Sequence, residues 1–211
     1  MSILIAITGS DSALVATDSR RIESDGTIRD NFPKTFRLRK DHVIGGHTGL
    51  LEFSGRTVPA WLNSLPDDCF VSMDALVAGS KALFEDEMSK IDEKEVIFDQ
   101  RRADIVIVGT SDLKDEKSQP CIRAIVLRPE LATRRVTSEI RSFNGYCAAG
   151  DDAAIKAVLG RMKVLRPQTL PRKRLTTAAM NIIAVGVQKA GVSASFPTVS
   201  SCGGPASLTF L

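Results

Sequence analysis

The sequence predicts an α+β protein in which two central, mostly antiparallel sheets carry helices on their outer faces. Three observations lead there. The periodic segments run as strands, two helices, strands, two helices and a final strand. The first hairpin is apolar on both faces, so its sheet is covered on both sides. The helices fall into two groups, as outer layers over doubly buried sheets require. A chain of 211 residues, 43% hydrophobic, fits one large core unit, and a single domain over residues 1–211 is expected.

The elements follow in order. Ile3, Ile5 and Ile7 alternate with Ser2, Leu4, Ala6 and Thr8, so a strand begins at once. Gly9, Ser10, Asp11 and Ser12 form a turn cluster, and residues 13–18 read as the returning strand. Residues 20–33 are polar and read as a loop. Residues 34–38 and 42–46 read as a second hairpin, turning near Arg39, Lys40 and Asp41. A helix is expected over 50–65, interrupted at Pro59. The pattern over 73–91 is stronger: Leu76, Val77, Leu83, Phe84 and Met88 share a helical face, with Ser80 a small residue on the same stripe. Strands are expected over 103–109, 121–127 and 135–140. Helices follow over 151–164 and 175–190, joined by a basic linker, 166–174. Residues 207–211 read as the last strand.

Composition excludes several function classes. A net charge of +3 is too mild to argue for nucleic acid. Arg161, Lys163, Arg166, Arg172, Lys173 and Arg174 cluster without interleaved aromatics and read as a solvated face or subunit contact. Cys69, Cys121, Cys147 and Cys202 are scattered, which fits a reducing compartment and gives neither a zinc spacing nor a disulfide framework. With only His42 and His47, no metal site is expected, and no phosphate-loop or dinucleotide motif asks for a cofactor. No apolar run is long enough to span a membrane, and the start lacks a basic, long-apolar leader. The expectation is a soluble, cytoplasmic protein that binds neither membrane nor nucleic acid.

The candidate chemistry lies in the first two hairpins. A turn about Ser10 sets opposed residue numbers summing to about 20, which places Ser2 opposite Asp18. The second hairpin sets Lys34 opposite residues 46–48. With Met1 removed, Ser2 carries both a hydroxyl and a free α-amine, a nucleophile beside its own base. The amine has an ordinary pKa near 8, close enough to neutrality to take a proton. Lys34 favours charge on the hydroxyl oxygen and Asp18 orients Lys34. The glycine-rich stretch Gly45, Gly46, His47, Thr48, Gly49 offers backbone amides, those of Thr48 and Gly49, for an oxyanion. His42 and His47 read as structural, with His47 a candidate to line the site. Cys202 has no histidine placed for it. Asp151 and Asp152 read as a helix N-terminus.

These residues resemble a proteasome β subunit or its bacterial relatives, in the N-terminal nucleophile hydrolase superfamily. Ser2, then Asp18-Ser19-Arg20, then Lys34 stand at the family's spacing of sixteen and sixteen. Gly46-His47-Thr48-Gly49 matches its oxyanion turn, Ala148-Ala149-Gly150-Asp151 is similar to its Gly-Ser segment, and Ser201-Cys202-Gly203-Gly204 is similar to its Ser-Gly-Gly. Four departures stand out. Ser2 replaces the family's Thr, Asp151 stands where the family has a supporting Ser, Val199 stands where many members have an Asp, and the family's amide-donating Gly is either replaced by Thr48 or shifted to Gly49. The resemblance implies a four-layer αββα fold, processing at residue 2, and a peptidase or amidohydrolase acting on peptides or proteins through an acyl-enzyme on Ser2. Asp151 is then a possible supporting residue. It also implies a homo-oligomer, often a ring, and leaves an ATPase partner open. Two other readings stay open: a ligase or transpeptidase that passes the acyl group to an amine, as in the connectase-like branch, and an inert ring or scaffold subunit.

Overall fold

Alternation along the first strand organises the molecule. Ile3, Ile5 and Ile7 pack with residues of two helices, while Leu4 and Ala6 pack with a second sheet, and all five are buried. The computed structural model describes residues 2–8, 12–38, 43–49, 52–53, 55–92, 94, 101–109, 123–142, 145–193 and 195–211. In chain order the strands and helices are β1 (Ile3–Thr8), β2 (Ala13–Asp18), β3 (Arg21–Ile22), β4 (Ile28–Arg29), β5 (Thr35–Arg37), β6 (Val43–Gly49), β7 (Glu52–Phe53), β8 (Arg56–Thr57), α1 (Val58–Asn63), α2 (Met73–Ser89), β9 (Ala103–Gly109), β10 (Arg123–Glu130), β11 (Arg135–Ser142), β12 (Tyr146–Gly150), α3 (Asp152–Leu165), α4 (Arg172–Lys189) and β13 (Ala206–Phe210).

Two larger sheets dominate. One has the order β12-β1-β2-β13, the other β11-β10-β9-β6-β5, and neighbouring strands pair antiparallel throughout. Three buried clusters bind them. Ile3, Ile5, Ile7, Leu14 and Ala16 meet Ala154, Val158 and Met162 of α3 and Leu175, Ala179 and Ile182 of α4. Leu4, Ala6, Ala13 and Val15 meet Ile44, Val106 and Val108 of the other sheet. Val43, Ile105 and Ile107 meet Trp61 and Leu62 of α1 and Leu76, Phe84 and Met88 of α2. The doubly apolar strands of the sequence thus face a core on each side, and each helix turns its 3.6-period stripe to a sheet.

Caps fix where the longer helices start. Ser72 accepts from Ala75 N–H (3.2 Å) ahead of α2, and Asp151 accepts from Ala154 N–H (2.9 Å) ahead of α3. Ser80 lies on the buried face of α2, as its spacing indicated.

Several expectations need correction. The first hairpin pairs Leu4 with Thr17 and Ile5 with Ala16, so opposed numbers sum to 21, and Ser2 is not directly opposite Asp18. Residues 9–11, expected in the first turn, lie outside the described residues, as do 39–41, expected in the second, and His42. The helix expected over 50–65 is instead the hairpin β7–β8 followed by α1, and Pro59 stands in the first turn of α1. A missing N–H costs nothing there, so this proline starts a helix and does not break one. Residues 148–150, read only as part of the pre-helix segment 148–151, belong to β12 at the edge of the first sheet. The loop 20–33 contains the small hairpin β3–β4, and α4 begins at Arg172, inside the expected linker. The strand expected from 121 is described from Arg123, with 121 and 122 outside the described residues.

The two sheets approach closely at Gly46. A Cβ there would fall 2.6 Å from Leu4 Cδ1 and 2.9 Å from Val15 Cγ1. Gly46→Ala is therefore expected to lower unfolding stability by about 1–3 kcal/mol, the usual range for overpacking, as read from the denaturant midpoint. An unchanged midpoint would mean that the sheets are spaced more widely.

Candidate active site

Lys34 is the only lysine among the described residues that is completely buried. It precedes β5, and its carbonyl accepts from His47 N–H of β6 (3.0 Å), which continues the β5–β6 ladder past Thr35 and Gly46. From there the side chain runs between the sheets to residue 2. Lys34 Nζ donates to Ser2 Oγ (2.6 Å) and to Asp18 Oδ2 (3.3 Å). Burial holds the Lys34 ammonium below the ordinary lysine range, against the opposing pull of Asp18.

Asp18 reaches this point despite the shifted register because it ends its strand. Its carboxylate turns past the edge of the β1–β2 ladder into a set of backbone donors. Ile3 N–H gives to Oδ1 (2.8 Å), and Gly203 N–H (3.1 Å) and Arg20 N–H (3.3 Å) give to Oδ2. Three amides and one ammonium therefore satisfy a carboxylate with no exposed surface.

Ser2 is 5% exposed, and its main chain is held as firmly as its hydroxyl. Its carbonyl accepts from Asp151 N–H (2.9 Å). Gly150, at φ 115°, lies against the same carbonyl, where a Cβ would sit 1.8 Å from the oxygen. Only glycine is compatible with both that backbone conformation and that approach.

Behind Asp18 stands a clamp that was not anticipated. Arg20 binds Asp30 through two contacts, Nε to Oδ1 (2.6 Å) and Nη2 to Oδ2 (2.8 Å). The Arg20 guanidinium packs against Gly203, Ser19 N–H donates to the Gly203 carbonyl (3.1 Å), and Ser19 Oγ donates to the Asp30 carbonyl. This fixes the amide that Gly203 gives to Asp18. Arg20 and the paired glycines were visible as motifs; Asp30 sat in a segment read as a plain loop.

The amides proposed for an oxyanion divide. Successive N–H groups along a strand point to opposite sides. His47 N–H points to Lys34, so the Thr48 amide points into the ladder with Asp104 of β9 and the Gly49 amide points to the Lys34 side. Gly49 is the better placed of the two.

His47 and Cys202 are in neutral forms. Burial, with a smaller push from Lys34, takes the His47 imidazole down to about 3, and its ring packs beside Phe36 at 6.1 Å between centroids. Burial, reinforced by Asp18, pushes the Cys202 thiol up to about 12. Neither offers a base or a thiolate at neutral pH. A cleft of about 210 Å³ opens beside this constellation between Phe32, Pro33 and Ser19 on one side and Pro205 and Ser207 on the other; Ser2 does not line it. Among the described residues no group of three or more His, Cys, Asp and Glu is placed to hold a metal ion, and no helix is long and apolar enough to cross a membrane.

No protein-family model and no curated protein matches the chain. A solved structure does. The chain is similar to eukaryotic HslV from Trypanosoma brucei, with a TM-score of 0.50 at 10% identity, over 99% of this chain and 98% of that one. At that identity the likeness is one of fold. What the two share is the mixed α/β architecture, with its antiparallel sheets and helices.

Two outcomes are expected for the buried pair. Asp18→Ala strands the Lys34 ammonium and should cost about 3–5 kcal/mol of unfolding stability, with Lys34→Met in the same chain restoring a large part of it. An additive double-mutant cycle would show that the two charges are not coupled. The second outcome concerns pH. The folded-state pKa of Lys34 lies below the unfolded value, so between the two the unfolded chain binds more protons and stability rises with pH. Lys34→Met should flatten that rise between neutral and alkaline pH relative to the parent; parallel curves would contradict the burial-driven shift.

Proposed function

We propose that the chain is a proteasome-type N-terminal nucleophile peptidase or amidohydrolase acting through Ser2, on a single-domain, four-layer αββα fold spanning residues 1–211. The observation that carries the reading is the 2.6 Å hydrogen bond from Lys34 Nζ to Ser2 Oγ, with Asp18 as the ammonium's counter-ion. The three buried clusters, helix–sheet, sheet–sheet and sheet–helix, support the layering.

The chemistry starts once Met1 is removed. The Ser2 α-amine takes the hydroxyl proton as Oγ attacks a substrate carbonyl carbon. Lys34 stabilises the negative charge developing on Oγ, and Asp18 keeps the ammonium in place. The Gly49 amide is the donor directed to where the carbonyl oxygen becomes an oxyanion. Collapse of the tetrahedral intermediate passes the proton to the leaving amine and leaves an ester on Ser2. Water, or a second amine, then takes the acyl group and returns the hydroxyl. The cleft beside Phe32 and Pro205 is a place for part of a peptide substrate. The fold likeness also supports a homo-oligomer, which sedimentation at monomer mass would defeat.

The test is covalent labelling. Incubation with a β-lactone or a peptide vinyl sulfone should add one probe, mapped by mass spectrometry to Ser2. Ser2→Ala should take none, and Lys34→Ala should label slower by about 10²–10⁴-fold. A chain that lacks Met1 and takes no label would overturn the reading in favour of an inert ring or scaffold subunit. Product analysis with added peptide amines separates hydrolysis from ligation.

A further inference from the structure

A second carboxylate lies beside residue 2, and its charge has a different setting from that of Asp18. Asp151 N–H holds the Ser2 carbonyl (2.9 Å), so the two main chains run side by side. The Asp151 carboxylate is buried, the residue being 6% exposed. Oδ1 accepts from Ala154 N–H (2.9 Å) and Gly191 N–H (3.4 Å), and Oδ2 accepts from the Ser201 hydroxyl (2.9 Å). Ser201 is itself buried and anchored by its own N–H to the Gly191 carbonyl (2.9 Å). Asp18 and Asp30 each have a cation, Lys34 and Arg20. Among the described residues no lysine or arginine forms an ion pair with Asp151. The N-terminus of α3, two amides and a hydroxyl stabilise this interior carboxylate, which leaves it without the cationic partner that a buried charge normally has.

Removal of Met1 supplies the missing charge at the adjoining main chain. We propose that Asp151, oriented by Ser201, is the counter-ion of the α-ammonium that residue 2 gains on processing, and so a positioning residue for that amine. This rests on the reading of Ser2 as a terminal nucleophile. The other charged or titratable groups around residue 2 leave this role open. On the hydroxyl side Lys34 and Asp18 satisfy each other, and Arg20 is closed on Asp30. The Cys202 thiol, on the loop beside Ser201, and His47, on β6, are neutral. Asp152, the first residue of α3, and Lys189, the last of α4, are exposed.

A fixed negative charge beside the amine makes it keep its proton to higher pH, so the free base appears later on an alkaline titration than for an unpaired α-amine. Asp151→Asn is the informative variant. Asparagine caps a helix as well as aspartate: its Oδ1 keeps the Ala154 and Gly191 amides and its Nδ2 donates to the Ser201 hydroxyl, which can accept, so the fold stays while the charge goes. The titration is read on the amine itself: labelling of residue 2 by a limiting amine-specific acylating reagent, mapped by mass spectrometry across pH, in the parent chain and in a Ser2→Ala background that has no nucleophile. Asp151→Asn should move the labelling midpoint about one pH unit lower, a tenfold drop in proton affinity, in both backgrounds, and Ser201→Ala should move it the same way by less. Identical midpoints with and without the charge would overturn the inference, as would retention of Met1. A labelled Ser2 with an unmoved midpoint removes this inference alone. A moved midpoint with no β-lactone adduct on Ser2 keeps the counter-ion and removes the nucleophile.

Discussion

One buried ammonium sets the requirements for the rest of the structure. Lys34 Nζ has left water, which burial opposes, and it meets one hydroxyl and one carboxylate. Everything near it acts to make that arrangement hold. Gly46 lets the second sheet come close enough to the first for the lysine to reach across. The His47 amide extends the β5–β6 ladder to the lysine's own carbonyl. The amides of Ile3, Arg20 and Gly203 keep Asp18 from competing for other partners. The Arg20–Asp30 clamp, packed on Gly203, secures the last of these amides from a loop more than 180 residues along the chain from Asp18.

Much of the fold was legible in the sequence because burial on both faces leaves a simple pattern. β1, β2 and β9 are apolar on alternate and intervening positions alike, and each was read with its correct span or nearly so. The stripe of α2 was equally plain, since Leu76, Phe84 and Met88 recur at helical spacing against one sheet. What escaped was local competition. Pro59 reads as a breaker until the chain around it shows that it opens a helix. Residues 146–150 carry alanine and glycine, which have little strand preference, and pairing with β1 makes them a strand.

The site was legible in part, and for a different reason. Ser2, Asp18 and Lys34 were found by spacing, and the structure brings their side chains together, yet not by the register that suggested it. A one-residue slip would have separated Ser2 from Asp18 had both lain mid-strand. Asp18 stands at a strand end, so its carboxylate follows the available amides instead of the pleat. No sequence pattern announces such a detour. Asp30 was missed, and Ser201 was seen only as part of a motif without its partner, because each acts through a residue distant in the chain. Gly150 and Asp151 were noticed as a segment, but their grip on the Ser2 carbonyl depends on β12 being a strand.

Ser2, Asp151 and Val199 depart from the proteasome-like pattern. Serine in place of threonine leaves a hydroxyl without the methyl that narrows its rotamers, and hydrogen bonding by Lys34 fixes its direction instead. Val199 brings no carboxylate, while Asp151 brings one on the residue whose N–H holds the Ser2 carbonyl. The catalytic reading depends on residue 2 being the first residue of the mature protein, so the most direct measurement is the intact mass of the purified, natively expressed chain. The mass of residues 2–211, without Met1, is the expected result; the full 211-residue mass would contradict a serine that uses its own amine as base.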